Sequence, residues 1–199
     1  MDLNELRANG YATIEKKLNF LSWLNEELKS AKSYQFPILV GGSAVELYTL
    51  GNYGSLDLDL VMADISKPVE ILKNNGFIKD GKQWYNPDID VLVEFVGGEP
   101  PAKVLRINYK GSFVLVTSLE EIIADRLNAA KWWRSKADEK WAKVMLSDAL
   151  SKPKENFDFE YLQKRSQEED TSDVLRKIMF ELGDNRMNSG EDKYNERSH

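Results

Sequence analysis

Asp57 and Asp59 are interleaved with Leu56, Leu58 and Leu60, an alternation with the period of a β-strand. Side chains two residues apart on a strand share a face, about 6.5 Å apart. The spacing therefore predicts a strand from Ser55 to Met62 with both carboxylates on one face and the leucines on the other. Two carboxylates aimed the same way from a strand buried on at least one face are costly unless compensated. Water compensates them on a half-exposed strand. A hard cation with oxygen ligands does so at a binding site.

Composition narrows the remaining chemistry. The chain has no cysteine, and its one histidine is the terminal His199, so disulfides, thiolate metal sites, cysteine nucleophiles and most imidazole chemistry are excluded. Carboxylates are left to carry any reaction. The net charge of −6 argues against a general nucleic-acid coat protein. Between Arg126 and Arg165, however, ten Lys/Arg face six Asp/Glu; this reads as solvated helix faces or as a local surface for an anion such as an RNA backbone. No stretch approaches the ~20 apolar residues that span a bilayer. The acidic, polar start Met1-Asp2-Leu3-Asn4-Glu5 does not resemble a signal peptide, so a cytoplasmic, membrane-free protein is expected.

Periodicity orders the rest of the chain. Ile14, Leu18, Leu21, Leu24 and Leu28 predict an amphipathic helix over 11–30, and Phe36 to Val40 a short buried strand stopped by Gly41-Gly42. A helix is expected from Ala44 to Leu50, and another from an N-cap at Ser66, with Pro68 in its first turn, to Asn74. Phe77 to Tyr85 reads as a hairpin turning at Asp80-Gly81, and Ile89 to Val96 as a third long strand. Val104 to Asn108 is expected to pair with Ser112 to Val116 across Lys110-Gly111. Ser118, three residues before Glu121, has the spacing of a capping box opening a helix to about Arg134, and helical patterns continue to Leu182. Strands lie before residue 117 and helices after it, which predicts an α+β fold. The expected organisation is a mixed α/β core with an N-terminal helix over 1–116, a helical region over 117–182, and a flexible tail over 183–199. Trp133, Ala137, Trp141 and Val144 fall on one helical stripe expected in the core, with Trp132 off it and exposed.

Gly41-Gly42-Ser43 lies where a buried strand ends and a helix begins. Glycines there let a ligand approach the backbone, free N–H groups at the helix start favour a phosphate, and the Ser43 hydroxyl adds a hydrogen bond. A tight strand-to-helix turn without a ligand explains the glycine pair equally well. Asp90 opens the apolar run Val91-Leu92-Val93. On an adjacent strand it would complete a three-carboxylate cluster with Asp57 and Asp59, suited to two metals about 3.5–4 Å apart. Glu94 has the same parity but lies about 13 Å further along the strand, so Asp90 is the expected third acid.

Gly41-Gly42-Ser43, thirteen residues, Asp57-Leu58-Asp59 and a later acid together resemble the signature of the nucleotidyltransferase-fold superfamily. The likeness covers about residues 36–121 and is greatest to its small members: minimal nucleotidyltransferases, abortive-infection toxin-like proteins and lincosamide nucleotidyltransferases. The resemblance implies a mixed sheet flanked by helices and a C-terminal helical region. It also implies transfer of a nucleoside monophosphate from a nucleoside triphosphate to a hydroxyl of RNA, protein or a small molecule, with an antitoxin-like partner in the toxin-like case. Asp57, Asp59 and Asp90 would hold Mg2+ or Mn2+; Gly41, Gly42, Ser43 and Ser55 would cradle the triphosphate. Arg126 matches a basic helix position that faces phosphates in such relatives, or forms a salt bridge to Glu120 or Glu121. Tyr53 stands where many relatives carry arginine. That departure, with the acidic net charge, keeps a second reading in play: a catalytically inactive module that binds nucleotide or a partner chain.

Overall fold

The structure is a computed structural model of the 199-residue chain. It describes residue 6 and residues 13–153, 157–184 and 186–187. The chain divides into two compact units, Met1–Ser118 and Leu119–His199. Most of the expected 183–199 tail lies outside the described residues.

The first unit is built on one seven-stranded mixed sheet in the order β3-β4-β5-β2-β1-β7-β6. Helix α1 (Thr13–Ser30) leads into β1 (Ile38–Leu39), α2 (Gly41–Tyr48), β2 (Leu58–Val61) and α3 (Ser66–Asn74). The hairpin β3 (Ile78–Asp80) and β4 (Gln83–Asn86) follows, then β5 (Val91–Phe95), and last the hairpin β6 (Val104–Tyr109) and β7 (Ser112–Thr117). At the centre β2 runs parallel to β5, and β1 runs antiparallel to β2 but parallel to β7.

One row of central residues, Leu60, Leu39 and Val116, is joined by register and is fully buried. Phe20, Leu21, Leu24 and Leu28 of α1 are as deeply buried, and α1 packs on β7, α3 and α2. The apolar stripe read from α1 is thus the unit's main helical seam. The β6–β7 turn falls on Lys110-Gly111, both with positive φ, 44° and 82°, the conformation that a tight two-residue hairpin with right-handed twist requires.

Two local expectations change. Ser66 does not cap α3 with its side chain; its N–H donates to Asp64 Oδ1 at 2.9 Å, and the residue at the cap is Ile65. β2 begins at Leu58 rather than Ser55, so Leu56 lies outside the strand and is 93% exposed. The Ser118 N–H donates to the Lys103 carbonyl at 2.9 Å.

The second unit holds α4 (Leu119–Trp132), α5 (Lys136–Ser151), α6 (Phe159–Glu168) and α7 (Ser172–Glu181). Ser135 caps α5 by accepting from the Asp138 N–H at 3.2 Å, and Asp158 caps α6 by accepting from the Tyr161 N–H at 3.0 Å. The Ser135 cap breaks the helix that the tryptophan stripe required. Trp133 lies in the break, 82% exposed, and Val144 is 40% exposed. The buried positions of α5 are instead Ala142, Met145, Leu146 and Ala149, a stripe rotated from the expected one. The fold as a whole is α+β, with strands first and helices after. Among the described residues no helix is long and apolar enough to cross a membrane.

Candidate functional site

The turn from β1 into α2 explains why residues 41 and 42 are glycines. Val40 is extended, and Gly41 takes φ +60°, a left-handed conformation that a side chain resists. Space excludes a side chain as well: a Cβ on Gly41 would overlap the Asp59 carboxylate. The Gly42 N–H donates to Asp59 Oδ2 at 3.3 Å, so an acid already sits at the helix start, where the peptide dipoles favour negative charge. A Cβ on Gly42 would lie 3.0 Å from Ser55 Oγ and 3.3 Å from the Tyr53 ring. Tyr53 and Ser55 thus form the wall beside the turn.

Register decides which acid accompanies Asp59. In the parallel β2–β5 pairing Asp59 is opposite Glu94, and in the antiparallel β4–β5 pairing Glu94 is opposite Gln83. Residues paired across strands share a face, so Asp59, Glu94 and Gln83 form one row. Asp57 stands just before β2, with Oδ1 3.3 Å from Ser55 Oγ and Oδ2 3.4 Å from Gln83 Nε2.

Asp90 is not in this row. It precedes β5, is exposed, has φ +52°, and its Oδ1 accepts from the Tyr85 hydroxyl at 3.4 Å. Asp90 and Glu94 share strand parity, but the pairing lies four residues further along than a cluster with Asp90 requires. β5 starts only at Val91, and its pairing brings Glu94, not Asp90, level with Asp59.

Ser43 is placed differently from a phosphate ligand. It is fully buried; its hydroxyl donates to the Asp57 carbonyl and accepts from Lys17 Nζ at 3.0 Å. Lys17 is the residue that the sequence reading missed. Lys17 is 4% exposed, and its ammonium also donates to Glu46 Oε2 at 2.7 Å and to the Ser55 carbonyl at 2.7 Å. One buried cation therefore ties α1 to α2 and to the segment that presents Asp57. The signal was visible: Lys17 lies three residues after Ile14 and four before Leu21, on the apolar stripe of α1, and Glu46 lies between Val45 and Leu47 in the most apolar helix. Opposite charges on two core-facing stripes point to a buried pair.

Asp57, Asp59 and Glu94 offer hard oxygen donors of the kind Mg2+ and Mn2+ take, so the donor chemistry fits a divalent cation. Among the described residues no three acids are gathered closely enough to form a ready metal site. Gly42 holds Asp59, and Ser55 and Gln83 hold Asp57.

In the helical unit, Arg126 Nη1 pairs with Asp138 Oδ1 at 2.8 Å, both side chains being largely buried. The salt-bridge alternative thus takes a different partner from Glu120 or Glu121. Glu121 turns to the Tyr161 hydroxyl and to Arg165 Nε at 3.4 Å. Beside Arg126, Asp125 is exposed along part of its side chain, and desolvation by the atoms packed around its carboxyl pushes it up to about 6; Arg126 opposes the shift, and Glu169 and Glu121 add to it.

No protein-family model matches the chain, and no curated protein matches it. Two solved structures are similar to it. One is an antigenic nucleotidyltransferase-like protein from Paracoccidioides brasiliensis, with 16% identity over 73% of this chain and 77% of that one, at a TM-score of 0.49. The other is the antibiotic-resistance factor ANT(2'')-Ia, with 12% identity over 86% of this chain and 97% of that one, also at 0.49.

Proposed function

We propose that the chain is a metal-dependent nucleotidyltransferase, passing a nucleoside monophosphate from a nucleoside triphosphate to a hydroxyl group. The observation that carries this reading is Asp59, which sits at the Gly41-Gly42 mouth of α2 and in one sheet row with Glu94. Acids and helix N–H groups meet there, as handling a triphosphate requires. Asp57 and Asp59 would hold a divalent cation, which when bound supplies charge neutralisation for the phosphates. The Gly41–Gly42 backbone would approach the triphosphate, and Glu94, level with Asp59, takes the role the sequence gave to Asp90. It would accept the proton of the acceptor hydroxyl as the new O–P bond forms at the α-phosphorus and pyrophosphate leaves. RNA, protein and small-molecule acceptors, and a toxin-like role with an antitoxin-like partner, belong to this reading as the family likeness suggests them.

The test is incubation of the purified chain with each labelled nucleoside triphosphate, Mg2+ or Mn2+, and separate RNA, protein and small-molecule fractions. Label entering one fraction, and lost in Asp59→Asn, is the expected result. Ser43, whose hydroxyl is spent inside the fold, and Tyr53 in place of arginine favour a second reading, a binding module without turnover. Saturable nucleotide binding with no label transfer to any fraction would select it.

A further inference from the structure

A groove of about 520 Å3 lies between α3 and the β3–β4 hairpin. Ile65, Val69 and Phe77 form apolar walls around Trp84, a buried residue only 5% exposed. Lys73, from α3, and Lys79, from β3, both bring their ammonium groups to 5.7 Å from the centre of that ring. Among the described residues no carboxylate pairs with either lysine. Asp64, near the mouth, has an oxygen already committed to the Ser66 N–H.

Two like charges repel, yet both ammonium groups line one groove, each within 5.7 Å of the same ring centre, with no acid paired to either among the described residues. Aromatic attraction accounts for each lysine singly; it does not account for an apolar trough open beneath both. Strand parity puts this trough away from the acids. Gln83 is in the row of Glu94 and Asp59, so its neighbour Trp84, paired with Val93, points to the opposite face of the sheet.

We propose that this groove is a binding site for a small amphipathic anion, separate from the nucleotide site and independent of the reading given to it. A flat apolar or aromatic body lies against Ile65 and Val69 over a floor formed by the buried Phe77 and Trp84, and a single acidic group meets Lys73 and Lys79. The volume is that of a metabolite-sized site, and the mixture of apolar walls with two converging donors selects against both simple ions and neutral hydrocarbons.

Two dyes that differ mainly in one sulfonate test the site on the full chain: 8-anilinonaphthalene-1-sulfonate and neutral N-phenyl-1-naphthylamine. The sulfonate is expected to bind one saturable site. The Lys73→Met, Lys79→Met double variant, which keeps the apolar stems, should weaken it at least ~tenfold while leaving the neutral dye within about twofold. Val69→Trp, filling the trough, should abolish binding of both. Melting curves by circular dichroism confirm that each variant folds; should Val69→Trp fail to, the lysine comparison decides alone. Absence of a saturable site in the native chain overturns the proposal. Unchanged sulfonate affinity in the double variant, or equal loss for both dyes, overturns it as well.

Discussion

Glu94 stands level with Asp59 in the parallel pairing of β5 with β2, and Asp90, four residues earlier, lies in the turn outside the sheet. The proposed reaction therefore depends on Glu94. Glu94→Gln should lower nucleotidyl transfer by ~100-fold or more, a loss of several kcal/mol in transition-state stabilisation. Asp90→Asn should retain activity within a few-fold. Label incorporation from a nucleoside triphosphate measures both, and the reverse ranking would return the third acid to Asp90.

Lys17 offers a test of positioning. Its pair with Glu46 is almost fully buried, at 6% and 3% side-chain exposure, and removing one partner of such a pair costs about 3–5 kcal/mol. Lys17→Met alone is expected to show that loss in a denaturant titration. Adding Glu46→Leu should restore most of the stability, because an apolar pair replaces an ionic one. Activity should stay low in the double variant, since the ammonium that joins the Ser43 hydroxyl to the Ser55 carbonyl is then gone. Full recovery of activity would reduce Lys17 to a packing residue.

Arg126 and Asp138 should behave as one structural unit. Either Arg126→Ala or Asp138→Asn is expected to destabilise the chain by about 1–2 kcal/mol, with little further loss in the double variant. Triphosphate affinity should change by less than about twofold in each. Opposite shifts, weaker for Arg126→Ala and tighter for Asp138→Asn, would instead show that the guanidinium also serves phosphate.

Asp125 predicts an acid-side gain in stability. Its folded pKa of about 6 lies above the ordinary 3.8, so between those values the folded chain binds more protons than the unfolded one. Stability should therefore rise as pH falls through 6 toward 4 and be lost as pH climbs back. Solvent still reaches the side chain, which keeps the effect modest. Asp125→Asn should remove that component of the pH profile, read as the difference between variant and native melting temperatures from about pH 7 to 5.

Much of the fold was legible because it rests on local rules. The α1 stripe, the Lys110-Gly111 hairpin turn and the run of strands followed by helices each follow from periodicity or from turn chemistry. Pairing register was not legible. Asp90 and Glu94 have the same parity, and only the contact between β2 and β5 selects between them. The tryptophan stripe failed for a related reason: the Ser135 cap resets the helical phase between Trp132 and Lys136, and a periodic reading carries through such a break unless the serine is weighed as a stop. The Ser43 hydroxyl was assigned to a ligand because its partner, Lys17, lies 26 residues away in sequence.

The bond from Gly42 to Asp59 bears on the order in which a catalyst of this kind fills. The place at the head of α2 that would welcome a phosphate is held by the protein's own carboxylate. If the proposed reaction holds, a bare triphosphate arriving there would meet negative charge rather than open N–H groups, whereas Asp57 and Asp59 would hold a divalent cation whose charge offsets that of the phosphates. The turn would act as a gate for the complexed nucleotide, with apparent affinity rising steeply with divalent cation concentration even where the nucleotide is in excess.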